Sequence, residues 1–296
     1  MQETIEIMLT PEKKNIEEHL QFLVGERNPF TKPEHLEKTR LYIAKQFETF
    51  GLSVTEDAVD YEGSRSFNIF GKGKNSGEKP FVLAAHYDTK PGTPGADDNA
   101  SAVAALLEIS RCLADQTFPV PLIFAAFTLE EYGFIGSHQF IKKAAAENMT
   151  FSGMISLEML GYKVSTPHSQ SYPAYVDAEK YPDSGDFIAV VGNEPSVNLV
   201  RSLANGMKKH VPSLKVETLV VPGTGENFTE VRLSDHSPFW DAGIPAVMVT
   251  DTAFFRNPHY HQPSDTVDTL DMDFIRENAE AVTETLKTLL HKKEAA

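Results

Sequence analysis

Five short apolar runs recur along the chain: FVLAAH at 81–86, PLIFAAF at 121–127, GMISLEM at 153–159, DFIAVVG at 186–192 and IPAVMVT at 244–250. A strand points successive side chains to opposite faces, so an unbroken apolar run of this length describes a strand covered on both sides. Helical segments are predicted between them, near 99–115, 134–147 and 195–210, and a C-terminal helix carries Ile275, Ala279, Val282, Leu286 and Leu289 at helical spacing. Further strands are expected at 52–59, 66–71 and 215–221. Two helices come first. Thr10 and Pro11 open one whose Ile16, Leu20 and Leu23 share a stripe closed by Gly25, and Pro33 opens another ended by Gly51. The alternation predicts an α/β fold, three layers α/β/α around a mixed, largely parallel central sheet. With no repeat, low-complexity tract or long linker, residues 1–296 read as a single domain, with N-terminal helices within 10–51 and a loop insertion at about 160–186.

Charge and composition narrow the function. The 42 acidic residues against 27 basic ones give a formal charge of -15, and no basic patch interrupts it, so nucleic acid and anionic membrane are excluded as partners. The single cysteine, Cys112, lies in an apolar run and reads as a small buried side chain. The N-terminus, MQETIEIMLTPEKKN, lacks the basic start and apolar centre of a signal peptide, so a cytoplasmic location is expected unless a leader has been removed. The oligomeric state leaves no mark on the sequence.

Parallel sheets place their ligands at the carboxyl ends of the strands, and the acids and imidazoles of this chain gather there. His86 and Asp88 follow FVLAA, Glu130 and Glu131 follow LIFAAFTL, Glu158 ends MISLE, and His259 and His261 follow the last strand. A lone polar residue at a strand end is ordinarily a solvated loop charge; several converging on one sheet edge indicate a site. Two imidazoles, several carboxylates and no thiolate suit zinc, with cobalt or manganese as substitutes. The surplus of carboxylates over what one ion needs allows two ions roughly 3.5 to 4 Å apart, sharing a carboxylate and a water.

The sequence resembles the co-catalytic zinc aminopeptidases, relatives of the glutamate carboxypeptidases and glutaminyl cyclases. The resemblance covers roughly 80–270 and rests on HYD at 86–88, GADDNAS at 95–101, TLEEYGFIGS with Glu130 and Glu131, LEMLGY at 157–162, SDHSPF at 234–239 and YHQPSDT at 260–266. It implies a zinc-exopeptidase-like fold holding two Zn2+ ions. Asp97 would bridge the ions, His86 and Glu158 would complete one shell, and Glu131 and His261 the other. Glu130 would be the general base, Asp88 would accept the second N–H of His86, and Tyr260 would hydrogen-bond the developing oxyanion, with loop packing the alternative for Tyr260. Two positions depart from the pattern: Glu158 stands where aspartate is usual, and Ala102 where glycine often follows the serine. Asp98 and Asn99 are expected to shape the turn into the helix, and Ser234 to cap the helix before PFW. Phe254 and Phe255 are candidates for a pocket wall or for core, and Arg256 for a substrate carboxylate or for plain surface.

The implied activity is that of a metallopeptidase, an aminopeptidase acting on a peptide with a free N-terminus. The alternatives are a single-zinc glutaminyl cyclase, against which the run GADDNAS speaks, and a carboxypeptidase or dipeptidase, which needs Arg256 or another cation to meet a free carboxylate. A non-catalytic binding domain fits poorly, because every ligand position and Glu130 hold competent residues.

Overall fold

The computed structural model describes residues 9–74 and 77–291; positions 1–8, on which part of the leader reading rests, lie outside them. Eight strands, β1 (Ser53–Tyr61), β2 (Ser64–Lys72), β3 (Phe81–His86), β4 (Leu122–Phe127), β5 (Gly153–Glu158), β6 (Ile188–Asn193), β7 (Val216–Val221) and β8 (Ala246–Thr250), form one sheet. Their order is β1-β2-β4-β3-β5-β8-β6-β7. The centre, β4-β3-β5-β8, is parallel, in the register Phe81↔Leu122, Phe81↔Gly153 and Met154↔Ala246. The hairpin β1–β2 joins β4 antiparallel at one edge, and β6 joins β8 antiparallel at the other with β7 parallel beyond it.

The apolar runs are continuous because each strand feeds two cores. Leu83 and Ala85 of β3 and Phe124 and Ala126 of β4 face one; Val82, Ala84, Ile123 and Ala125 face the other. The first core is roofed by α1 (Lys13–Leu23), α2 (Pro33–Thr49), α3 (Ala102–Leu113), α5 (Val197–His210) and α7 (Met272–Leu289). The second packs under α4 (Ile135–Ala146) and α6 (Ser237–Asp241) through Phe140, Phe239 and Trp240. The result is the expected α/β/α layering around a mixed sheet. One detail differs from the sequence reading: α1 starts at Lys13, two residues past Pro11. The helix expected at PFW is the five-residue α6. Cys112 is buried, which pushes its thiol up to about 12.

Between β5 and β6 the chain makes turns and one short 3-10 helix, Ala178–Lys180, but no strand. This insertion is tied back on itself by Val164 N–H donating to Gly185 O and Gln170 N–H to Asp183 O. Among the described residues, no helix is long and apolar enough to cross a membrane.

Candidate metal centre

The carboxyl ends of β3, β4 and β5, the turn Ala96–Ser101 ahead of α3 and the loop after β8 meet at one buried spot. His86 is the last residue of β3 and Glu158 the last of β5. Glu130 and Glu131 follow β4 in a single turn entered through Leu129 at φ 58°, and His261 has φ 56°. His86 Nε2 lies 3.3 Å from Asp98 Oδ1 and 3.4 Å from Glu158 Oε1. His261 Nε2 lies 3.0 Å from Asp98 Oδ2 and 3.3 Å from Glu131 Oε2. Two clusters result, His86–Asp98–Glu158 and Asp98–Glu131–His261, in each of which one ligand atom per residue lies within 4.8 Å of the others. Each oxygen of Asp98 thus faces a different imidazole.

The carboxylate that the two clusters share is Asp98, where the resemblance implies Asp97. Consecutive residues in this turn point opposite ways. Asp97 points back into the protein, where Oδ1 accepts from Gly161 N–H at 2.8 Å and Ser101 Oγ at 3.0 Å, and Oδ2 from Asn257 Nδ2 at 2.7 Å. Asp265 holds the turn from below, accepting from the N–H groups of Asp97 and Asp98. Asn99, expected to shape the turn, does so by bridging Leu157 O and Met159 N–H. His86, Glu131, Glu158 and His261 lie together, as the resemblance implies. Asp88 Oδ1 stands 3.5 Å from His86 Nδ1, longer than a formed hydrogen bond, while its two oxygens accept from the N–H groups of Glu130 and Glu131. Glu130 points inward, Oε2 at 3.9 Å from His86 Nε2. His259 turns away to Ser264. Ser234 caps nothing: its hydroxyl donates to Glu158 Oε2 at 2.7 Å and meets Ser156 Oγ at 2.9 Å, fixing the longer glutamate side chain.

Residues 68–286 match the model of Peptidase family M28. The chain belongs to that family. An uncharacterized Escherichia coli protein, YfbL, is 37% identical to this M28 chain over 247 residues, 80% of the chain and 75% of YfbL. Aminopeptidase YwaD of Bacillus subtilis is 25% identical over 237 residues, 75% of the chain but only 44% of YwaD. Among solved structures, the Legionella pneumophila LapA aminopeptidase superposes with a TM-score of 0.75 at 21% identity, over 96% of this chain and 73% of LapA. The glutaminyl cyclase of Porphyromonas gingivalis superposes at 0.69 with 19% identity, over 94% of this chain and 96% of the cyclase. The fold is therefore common to both kinds of enzyme.

Electrostatics mark the M28 centre as starved of positive charge. Burial drives the Glu130 carboxyl well above the ordinary range, His86 pulls it back, and Glu158, Glu131 and Asp235 push it further up. Glu158 is raised for the same primary reason. Burial alone would raise Asp98 too, but the His261 and His86 imidazoles beside it hold it below its usual value. His261 moves the opposite way from its burial, up to about 9, because Asp98 and Glu131 flank it. Crowded buried carboxylates that must borrow imidazole protons are groups a cation would satisfy.

Beside Glu158 and Tyr260 opens a pocket of about 90 Å3. Its walls are mainly apolar, including Tyr172 and Val176 of the insertion, Phe187, Met248 and Phe254. Phe254 and Phe255 are thus pocket wall. The Tyr260 ring stacks on His261 with centroids 3.7 Å apart and reaches Phe254 at 5.5 Å. Arg256 is neither surface nor substrate anchor: it is buried over the Phe187 ring, donating to Gln170 Oε1 and Phe187 O at 2.8 Å each, and so ties the insertion to the loop that carries His261. Arg27, which no sequence pattern announced, is fully buried. It donates to the carbonyls of Leu23, Gly25, Tyr87, Pro94 and Gly95, clasping both ends of the loop between His86 and Asp98.

Proposed function

We propose that the protein is a zinc-dependent aminopeptidase that removes an apolar residue from a free peptide N-terminus. The observation that carries this reading is the single Asp98 carboxylate with one oxygen toward each of two imidazoles, each imidazole accompanied by a further glutamate. The residues fit a pair of divalent cations, with His86, Asp98 and Glu158 holding one and Asp98, Glu131 and His261 the other. The His261 Nε2 atom is buried and has no hydrogen-bond partner, as a nitrogen reserved for a metal would be. Bound there, the cations would polarise the scissile carbonyl and lower the pKa of an attacking water.

The chain's own groups account for the rest. Glu130, basic because it is buried among acids, takes the proton of the attacking water and passes it to the leaving amine. Asp88 holds the backbone of Glu130 and Glu131 so that one carboxylate faces the reacting carbonyl and the other the His261 cluster. Tyr260, stacked on His261, offers its hydroxyl to the oxyanion. The substrate ammonium lies against the acids of the centre, and the apolar pocket beside Glu158 receives the first side chain.

The glutaminyl cyclase reading shares the fold, and metal stoichiometry separates the two. Two zinc ions per chain, with release of leucine from leucyl-p-nitroanilide, are expected; one ion, with cyclisation of glutaminyl peptides, would replace the aminopeptidase reading. In that assay Glu130→Gln retains metal and fold and loses about 10²- to 10⁴-fold in kcat. An unchanged kcat removes Glu130 from the role of base.

A further inference from the structure

One cation stands at the rim of the centre without a task in the reaction. Lys90 Nζ lies 3.2 Å from Glu131 Oε2 and donates to Glu131 O at 2.5 Å, while the Lys90 N–H donates to Glu131 Oε1 at 3.1 Å. Its side chain is 36% exposed, so it remains open to solvent on one face. Arg27, whose charge reaches Asp98, Asp88 and Glu131, is committed to five carbonyls, and the buried Arg256 to Gln170 and Phe187. When Glu131 gives its charge to a metal ion, Lys90 is left beside cations with no full counter-charge of its own. An anion arriving with the substrate supplies one.

The layout says where that anion is carried. Glu158 lines the apolar pocket and belongs to the His86 cluster, whereas Glu131, which Lys90 contacts, belongs to the His261 cluster and is not part of the pocket wall. A substrate with its first side chain in the pocket crosses the centre toward Lys90. One extended residue spans at most ~3.6 Å, so a carboxylate one residue past the scissile bond stays beside the centre, while longer peptides carry theirs away. Tyr132, which follows Glu131 in the chain, packs with Phe30 and Tyr61 at ring separations of 5.3 to 6.4 Å, and these partly exposed rings offer an apolar surface to the second side chain.

We propose that Lys90 receives the free C-terminal carboxylate of a two-residue substrate, making dipeptides with apolar residues the favoured substrate class. This rests on the aminopeptidase reading above. The comparison is Leu-Phe against Leu-Phe-amide with the zinc-loaded protein, with leucyl-p-nitroanilide as reference. The acid is expected to exceed the amide about tenfold in kcat/KM, chiefly through KM, as one charge-assisted hydrogen bond warrants. Lys90→Met should bring the ratio to near one, and Lys90→Arg should restore most of it. Calorimetry with the non-hydrolysable reduced-amide isostere of Leu-Phe and its C-terminal amide should show the same preference in affinity, without turnover. Equal rates or equal affinities in the parent protein overturn the role of Lys90, as does a ratio that survives Lys90→Met. Hydrolysis of the anilide without an acid preference sinks only the Lys90 inference. Failure to hydrolyse anilide, acid and amide alike sinks the aminopeptidase reading and this one with it.

Discussion

Replacing Asp98 by Asn removes one negative charge from the middle of both clusters, whereas the same change at Asp97 removes an acceptor from the wall behind them. Asp98→Asn is therefore expected to lower zinc stoichiometry at both positions and to cut activity by more than about 100-fold, the scale seen when a directly acting group is lost. Asp97→Asn keeps one oxygen for Gly161 and Ser101 but sets an amide against the amide of Asn257. It should hold its zinc and lose about 1–3 kcal/mol of stability. Elemental analysis of the two purified variants, beside their urea unfolding curves, separates the roles; depleted metal in Asp97→Asn with Asp98→Asn unaffected would reverse the assignment. The run GADDNAS could not decide this by itself. Both acids are buried, and which one faces the imidazoles depends on Asp265 and Gly161, whose contacts come from far along the chain. His86, Glu131, Glu158 and His261 were legible because each closes or follows an apolar run, and sheet geometry brings the ends of parallel strands together.

At the level of elements, the loop from β3 to α3 carries both His86 and Asp98 yet has no ladder of its own. Its path is held by Arg27. Gly95 sits at φ 62°, and a Cβ there would meet Asp98 O at 2.4 Å and Arg27 Nη2 at 2.8 Å, so glycine is needed for the guanidinium and the turn to coexist. Arg27→Met should strand the carbonyls of Leu23, Gly25 and Tyr87, since Pro94 O and Gly95 O keep the N–H groups of Gly25 and Ala100, and should cost upwards of about 3 kcal/mol, measured by denaturant unfolding of the metal-free protein. A loss below about 1 kcal/mol would mean that water replaces the clasp. Nothing in the local sequence ERNPF suggests this job, because the carbonyls it satisfies belong to two segments some sixty residues apart. The strands and long helices were legible for the opposite reason, since their periodicity is local. The buried Arg256 repeats the case of Arg27: a charged residue beside aromatics reads as surface until the insertion that covers it is seen.

Over the whole molecule, the acids of the centre and the histidines of the cores respond to pH in opposite senses, so one core histidine is best followed by difference. His19, on the buried side of α1, has its pKa lowered to about 4 by burial, against the attraction of Glu108 and Glu18, while its Nδ1 faces the Tyr42 hydroxyl at 2.8 Å. Its folded value lies below the unfolded 6.5, so the unfolded chain binds the extra proton first as pH falls. The neutral ring's contribution is thus complete above about 6.5 and lost progressively down to about 4, amounting to about 2 kcal/mol between pH 7.5 and pH 5. His19→Asn removes the Tyr42 contact at both pH values alike, and it should flatten the pH dependence by that amount while leaving the dependence due to the centre in place. Urea unfolding of parent and variant at the two pH values, both without metal, measures the difference. A parallel fall in the two proteins would show that His19 is already protonated in the folded core, and that Glu108 outweighs its burial.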